Sequence, residues 1–281
     1  MRRNRNRKNI PLAFPLILLC AILFCIAIPR VAERAMQPSS TGNAQTNAAI
    51  PQDGSVQERL AAIAKQYPEA KKVENNLEAY PQELIDLLLR NPETAGFVAG
   101  YPGDKKSGGK INLKKEPKQN GIPHLLQWDA RWGYESYGES IIALSGCGPT
   151  CLSMIYIGLT GDTSQTPKVL CDKSAQSGYY KKGAGTLWEL MTAGAQQLGL
   201  KTEEIGLDEN QMKKELQNGH PLILSLRKGD FTTDGHFVVV TGVASNGEFQ
   251  ILDPNSNLRS QQTWSMERLE PQINNIWSYS N

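Results

Sequence analysis

Histidine, cysteine and net charge are all low in this chain. Its 281 residues include 3 histidines and 5 cysteines, and the formal net charge at pH 7 is +2. With so few ligands of these types, a site that holds several metal ions is not expected. Five of the 30 basic residues lie within the first eight positions, so the rest of the chain carries 25 positive against 28 negative charges. A mildly acidic body excludes nucleic acid as the expected partner, because binding phosphates requires a basic surface.

Only one long hydrophobic run is present, at residues 10–28, where nineteen uncharged and almost wholly apolar residues follow one another. As a helix this run would be about 28 Å long, which matches the hydrocarbon core of a bilayer. The positive-inside rule places the basic residues 1–9 in the cytoplasm and everything after Pro29 outside. We therefore expect a single-pass membrane anchor at residues 10–28. The alternative is a cleaved secretion signal, for which residues 31–35 are a poor cleavage site.

Composition divides the chain between residues 29 and 120 into three segments. Residues 29–54 are rich in Ser, Thr, Asn, Gln, Ala and Pro, which is typical of a flexible linker. Residues 55–101 form a predicted small helical region, which opens with the capping-box pattern Ser-x-x-Glu. Residues 102–120 are rich in Gly and Lys and are interpreted as a second linker. The sequence of the helical region does not indicate what it does.

Residues 121–281 have the mixed pattern of an α+β domain, with frequent turn signals. Within this domain, residues 146–157 contain a Pro suited to the first turn of a helix, followed by apolar residues at helical spacing. Cys147 is thus expected at a helix N-terminus, where the helix dipole and the free N–H groups favour thiolate over thiol. Taken alone, such a cysteine is equally well explained as a small buried residue.

A predicted β-hairpin carries two further reactive groups. His236 opens the β-branched run at residues 237–241, and Asp253 ends the run at residues 249–252. A thiol nucleophile needs an imidazole to accept its proton and a third group to orient that imidazole, and this hairpin supplies both. If Asn246-Gly247 formed an ideal two-residue turn, however, His236 would lie roughly 13 Å from Asp253 along the strand.

The mechanism therefore predicts an irregular hairpin. A longer loop, a β-bulge or both, for which Gly242 and Gly247 are the natural positions, would bring an Asp253 carboxylate oxygen within about 3.5 Å of a His236 ring nitrogen. The other ring nitrogen would then face the Cys147 sulfur. In a regular hairpin, Asn255 or Asn257 would orient the imidazole instead.

Five sequence blocks of this domain occur in a fixed order. They are Gln127-Trp128-Asp129-Ala130-Arg131-Trp132-Gly133, Gly146-Cys147-Gly148-Pro149-Thr150, Gly185-Thr186-Leu187-Trp188, Gly235-His236-Phe237 and Asp253-Pro254-Asn255. With these blocks, residues 120–281 resemble the papain-like cysteine peptidases related to the bacteriocin-processing, double-glycine leader peptidases, in their free-standing membrane-anchored form. The resemblance implies a fold in which a helix carrying the nucleophile packs on an antiparallel sheet carrying the His and the Asp. The chain lacks the P-loop pattern Gly-x-x-x-x-Gly-Lys-Ser/Thr, so it does not resemble the exporter-fused form.

The resemblance also implies a role for each site residue. Cys147 would be the nucleophile, His236 the general base and acid, and Asp253 the group that orients His236. Gln127 would donate a side-chain N–H to the oxyanion hole beside the Cys147 backbone N–H. Gln127 lies twenty residues before Cys147, farther than in transporter-linked members of the family, and the alternative is an ordinary surface-loop residue.

Together these inferences describe a membrane-anchored extracellular cysteine endopeptidase that acts on a peptide or protein substrate and needs no metal or organic cofactor. Two other functions remain open: a cell-wall peptidoglycan hydrolase with the same chemistry, and a non-catalytic anchored binding module of the same fold. The sequence identifies neither the substrate nor the oligomeric state. It also leaves open whether Cys151 and Cys171 form a disulfide, because sequence cannot show that they are close.

Overall fold

The computed structural model describes residues 53–103 and 111–281 of the chain. The predicted basic tail, the membrane anchor and most of the first linker lie outside the described residues, as do residues 104–110. Within the described part, no helix combines the length and the apolar character needed to cross a bilayer.

Four helices build the N-terminal part of the described chain. They are α1 (Val56–Ala64), α2 (Ala70–Glu74), α3 (Gln82–Arg90) and α4 (Ala95–Gly100), with 3₁₀ turns at Leu77–Ala79 and Pro92–Thr94. The capping box before α1 is formed, because the Glu58 carboxylate accepts a hydrogen bond from Ser55 N at 2.7 Å and Ser55 Oγ accepts one from Glu58 N at 3.3 Å. Apolar side chains from all four helices form one core.

Short elements connect these helices to the C-terminal part. They are a 3₁₀ turn (Leu113–Lys115), β1 (Lys118–Gln119), β2 (Ile122–Pro123), β3 (Ser136–Tyr137), β4 (Ser140–Ile141), α5 (Ile142–Ser145), α6 (Cys147–Thr160), α7 (Pro167–Gln176), β5 (Tyr180–Lys181), β6 (Gly185–Thr186), a 3₁₀ turn (Trp188–Leu190) and α8 (Ala193–Gln197). The strands pair as β1 with β2, β3 with β4, and β5 with β6. Residues 111–120, which belong to the second predicted linker, carry the buried Leu113 into the domain core.

A six-stranded antiparallel sheet follows, in the order β11-β10-β9-β8-β12-β7. The elements are β7 (Lys201–Ile205), α9 (Glu209–Gln217), β8 (Leu222–Leu226), β9 (His236–Val243), β10 (Phe249–Leu252), α10 (Asn257–Ser260), β11 (Thr263–Trp264), α11 (Met266–Leu269), a 3₁₀ turn (Glu270–Gln272) and β12 (Ile273–Ser280). All five neighbouring pairs are antiparallel.

Both faces of the central strands are covered, which explains the uninterrupted apolar run of β8. Ile223 and Val239 face the core that α6 shares, whereas Leu224 and Val238 face a second core with Met212 of α9. Side chains of a strand alternate between faces, so a strand buried on both sides is apolar throughout. The predicted α+β architecture, in which the helix bearing Cys147 packs on an antiparallel sheet, is confirmed.

The N-terminal helices pack against the segment that precedes α6. Their core includes Ala143 of α5, with Trp128 and Leu144 in contact with it. The Tyr134 hydroxyl donates a hydrogen bond to the Phe97 carbonyl of α4 at 2.5 Å. These contacts place the helical region beside the N-terminus of α6.

Candidate active site

Cys147 is the first residue of α6, and its side chain is only partly buried. Close packing explains the glycines on either side. A Cβ on Gly146 would lie 2.6 Å from the Ile142 carbonyl oxygen, and one on Gly148 would lie 2.8 Å from Thr186 Cγ2. Neither position therefore has room for a side chain, and α6 begins at Cys147 with the thiol at the positive end of the helix dipole.

Cys151 and Cys171 are fully buried, and neither forms a disulfide. Burial raises the pKa of both thiols well above its ordinary value. Among the cysteines that the structure describes, Cys147 is thus the accessible one.

The hairpin that links β9 and β10 is irregular in two places. Its loop has three residues rather than two, because Ala244 N donates to Glu248 O at 2.8 Å and Gly247 adopts a φ of 83°. The register then shifts by one residue between Gln250 and Ile251, which leaves Thr241 as a bulge in β9. Compared with a regular hairpin that has a two-residue loop, each irregularity shifts the pairing of the two strands by one residue.

The two shifts bring His236 and Asp253 within reach. Leu252 pairs with Val239. If this register continues, Asp253 lies opposite Val238, which is two residues from His236 and therefore on the same face of the sheet. His236 Nε2 and Asp253 Oδ1 lie 2.8 Å apart in a hydrogen-bonded ion pair. The expected irregular hairpin and the expected contact between His236 and Asp253 are therefore both present, and Gly247 lies in the longer loop as expected. The bulge, however, is at Thr241 and not at Gly242.

His236 is buried and hydrogen-bonded to Asp253. Burial by itself would lower the pKa of the imidazole, but the charge and hydrogen bond of Asp253, with a smaller contribution from Cys147, outweigh it and raise the pKa of His236 to about 9. Because Asp253 occupies Nε2, the other ring nitrogen, Nδ1, is the one left for the Cys147 thiol. The imidazole is thus positively charged at neutral pH and hydrogen-bonded to Asp253 on one side.

Asp253 is completely buried and receives several hydrogen bonds. Besides His236, Asn255 N donates to Oδ1 at 2.7 Å and Arg259 Nε donates to Oδ2 at 2.5 Å. Burial opposes ionisation of this carboxyl, but the charges and hydrogen bonds of His236 and Arg259 hold its pKa below the ordinary value. Asp253 N in turn donates to Ser260 Oγ at 2.8 Å, which fixes the backbone at this point.

Gln127 lies in the same cleft as Cys147, and it is buried, with 4% of its surface exposed. Its backbone N–H donates to the Pro254 carbonyl at 2.7 Å, and its Nε2 donates to the Ala143 carbonyl at 2.7 Å. An amide nitrogen carries two N–H bonds, so one remains for a ligand. The Oε1 atom has no hydrogen-bond partner in the part of the chain that the structure describes. The interpretation as an exposed surface-loop residue does not fit this burial.

Three residues of the site are absent from the sequence-based expectations. Arg259 reaches Asp253 because α10 turns the chain back toward it. Asn91 and Glu93 come from the helical region: Asn91 Nδ2 donates to the Asn255 carbonyl, and Glu93 accepts hydrogen bonds from the first backbone N–H groups of α10, at 2.8 and 3.1 Å. An acid at a helix N-terminus is a stabilising arrangement. No local sequence pattern indicates these contacts, since the partners lie more than 160 residues apart.

The cleft around Cys147 has a volume of about 510 Å³. It lies between the helical region and the sheet domain, and its lining comes from three parts of the chain: α1 and the end of α3 (Arg59, Leu87, Leu89, Arg90, Asn91), the segment leading into α6 (Gln127, Ala143, Leu144, Cys147), and the loop 229–235 with His236, Asn255 and Arg259. In the described residues no cluster of three or more His, Cys, Asp or Glu side chains is arranged to hold a metal ion.

The cleft thus brings together a thiol at a helix N-terminus and a buried imidazole that is hydrogen-bonded to a carboxylate. A sequence profile of the family described as "Peptidase_C39 like family" matches residues 119–281, which is more than half of the chain. The chain belongs to this peptidase family.

Among solved structures, the chain is similar to the crystal structure of a Bacillus anthracis protein that carries the provisional name C39-like peptidase. The two sequences are 16% identical, the TM-score is 0.35, and the match covers 58% of this chain and 96% of the other. No curated protein matches the chain.

Proposed function

We propose that this protein is a cysteine endopeptidase held at the cell membrane by residues 10–28, with its catalytic domain outside the cytoplasm. The observation that carries the catalytic part is the buried His236–Asp253 pair, with an Nε2 to Oδ1 distance of 2.8 Å, in a cleft that also holds Cys147. The position outside the cytoplasm rests on the basic residues 1–9 ahead of the apolar run.

In this proposal Cys147 attacks the carbonyl carbon of a peptide bond as the thiolate, its proton having passed to His236. The tetrahedral oxyanion accepts hydrogen bonds from the free Gln127 N–H and from the Cys147 backbone N–H. The charged imidazole then protonates the leaving amine, and the thioester remains on the enzyme. His236 finally removes a proton from the water that hydrolyses the thioester. Asp253 and Arg259 hold the imidazole in position throughout and do not change their covalent state.

Incubation of a peptide pool with the full chain tests this proposal. We expect the unmodified chain to cleave peptides in the pool and the Cys147→Ala variant to leave them intact. A thiol-reactive peptide probe gives a second measurement. It should label the unmodified chain and fail to label the Cys147→Ala variant. Cleavage of purified peptidoglycan with no cleavage of the peptide pool would favour the cell-wall hydrolase. No cleavage of either, with the probe unreactive, would leave the binding module.

The proposed topology has a separate test. Protease added outside intact cells should digest residues 30–281 and leave the cytoplasmic tail protected. Protection of the catalytic domain would reverse the proposed orientation.

A further inference from the structure

The wall of the cleft that comes from the helical region is cationic. Arg59 of α1 and Arg90 at the end of α3 both line the cleft, and the buried side chains of Leu87 and Leu89 line it beside them. Neither arginine forms an ion pair with any residue that the structure describes. Two arginines without acidic partners, beside an apolar surface, are suited to a ligand that carries negative charge next to apolar groups.

The two arginines lie next to each other at one point of the cleft. Arg59 Nη2 donates to the carbonyl oxygen of Leu89, the residue that precedes Arg90, at 3.3 Å. This bond holds the Arg59 guanidinium at the end of α3. Arg59 Nε is buried without a hydrogen-bond partner in the described residues. The Arg90 side chain is exposed and extends from the same turn.

The acidic groups around the cleft form no ion pair with Arg59 or Arg90, and Glu93 of the helical region is bonded to the backbone N–H groups of α10 instead. Asp253 is bonded to His236 and Arg259, and Asp230 of the opposite loop is bonded to Arg268 at 2.9 Å. Asp234, in the same loop, forms no ion pair with a described residue. Arg59 and Arg90, neither in an ion pair, therefore lie on the side of the cleft formed by the helical region. The carboxylate of Asp234, also outside any ion pair with the described residues, lies on the other side, in the loop 229–235.

We infer that Arg59 and Arg90 form a subsite that binds a carboxylate of the peptide substrate, with Leu87 and Leu89 in contact with an apolar side chain next to it. This inference rests on the proposed peptidase function and adds the substrate class, an acidic peptide. A guanidinium binds a carboxylate through paired N–H···O bonds, and a bond to a charged group is stronger than a neutral one. The carboxylate comes from an Asp or Glu side chain or from a free C-terminus, and the two sources are separated below.

A purely structural role is the competing explanation for these arginines. The last carbonyl groups of a helix attract cations, and Arg59 donates to one of them in α3. Such a role would affect stability without affecting which peptides bind. The test must therefore measure peptide selectivity, and Arg90→Glu is the main variant, because the exposed Arg90 side chain has no hydrogen bond or ion pair to the described residues whose loss would unfold the protein.

The experiment incubates the full chain carrying Cys147→Ala with peptide pools in which one position is fixed as Glu, Gln or Lys and the others are mixed. Bound peptides are recovered and counted by mass spectrometry. We expect Glu to be enriched over Gln by about tenfold at low salt, which corresponds to one charge-assisted bond. Pools with free and amidated C-termini distinguish a side-chain carboxylate from a terminal one.

In the same background, Arg90→Glu should abolish the preference for Glu and create a preference for Lys, whereas Arg59→Gln should weaken the preference for Glu. Lys72→Glu is the matched control: it makes the same charge change on an exposed position of α2 that does not line the cleft. A thermal unfolding curve for each variant shows that it is folded. Equal recovery of Glu and Gln peptides, or the same change in Lys72→Glu as in Arg90→Glu, would overturn the inference.

The outcome also separates this inference from the proposed function. If the unmodified chain cleaves the pools and the Cys147→Ala protein shows no preference for Glu, the subsite is wrong and the peptidase stands. If the unmodified chain cleaves nothing while acidic peptides are enriched and Arg90→Glu reverses the preference, the subsite stands and the peptidase is wrong.

Discussion

Replacing Asp253 with Asn tests whether the buried carboxylate holds the charged imidazole. Asp253 accepts hydrogen bonds from His236 Nε2, Asn255 N and Arg259 Nε, at 2.8, 2.7 and 2.5 Å. An Asn side chain has one acceptor oxygen and one NH₂ group, so at least one of these donors would face another donor. Removing one partner of a buried ion pair costs about 3–5 kcal/mol of folding free energy.

The dependence of the free energy of unfolding on pH tests this prediction more specifically. The pKa of His236 is raised to about 9 in the folded protein, compared with about 6.5 for a free imidazole. At about 1.4 kcal/mol per pKa unit, this difference stabilises the folded state by about 3 kcal/mol. Because the folded state binds the proton more tightly, the stabilisation is complete below pH 6.5 and is lost as the pH rises through 9. Asp253→Asn removes it.

Urea unfolding of the full chain at pH 6 and pH 10 measures the effect. The stability difference between the unmodified protein and Asp253→Asn should be larger at pH 6 than at pH 10 by about 3 kcal/mol. Asp230→Asn is the matched control, since Asp230 is paired with Arg268 and not with a histidine, and its effect should be the same at both values of pH. A difference for Asp253→Asn that does not change with pH would refute the argument that this carboxylate holds His236 in its charged form.

Three further predictions concern catalysis and access. Glu93→Gln should lower stability by about 0.3–1 kcal/mol, because Gln keeps an acceptor oxygen but loses the charge at the N-terminus of α10. It should lower kcat with little effect on KM, because α10 carries Arg259, which is bonded to Asp253. Gln127→Ala should lower kcat about a hundredfold, the usual effect of losing one oxyanion donor; unfolding curves and the two kinetic constants measure both variants. Alkylation at pH 6, followed by mass spectrometry, should be much faster at Cys147 than at the buried Cys151 and Cys171, whose pKa values are raised by burial.

Each of these predictions has an outcome that contradicts it. Glu83 is an exposed acid of α3, and a Glu83→Gln variant that slows catalysis as much as Glu93→Gln would show that the contact with α10 is not the cause. A Gln127→Ala enzyme with unchanged kcat would remove Gln127 from the oxyanion hole. Alkylation of the three cysteines at equal rates would show that Cys147 is not an activated thiol.

Local rules in the sequence predict the elements that carry the chemistry. The Ser55 to Glu58 capping box begins α1, and a Pro in the first turn begins α6 with Cys147 at its N-terminus. The β-branched run after His236 forms β9. These features depend on hydrogen bonds and side-chain spacing within a few residues, and the printed sequence contains all the information they need.

The approach of His236 to Asp253 depends on more than these rules. A regular two-residue turn would have kept the two side chains apart, and the contact exists because the loop gains one residue and Thr241 bulges out of β9. The need for an irregular hairpin follows from the chemistry, but periodicity does not say where a bulge forms. Packing of both faces of the sheet decides the register, since a slip of one residue moves every side chain to the other face.

Only the tertiary structure assigns a place to the helical region. The sequence predicts that residues 55–101 are helical, yet it does not indicate that Arg59 and Arg90 line the cleft or that Glu93 binds the N-terminus of α10. These contacts join residues far apart in the chain, and they form because apolar surfaces of the helices and of α5 are buried together. Hydrophobic burial is non-directional. The apolar pattern of a helix therefore shows that one of its faces is buried, but not which other surface that face contacts.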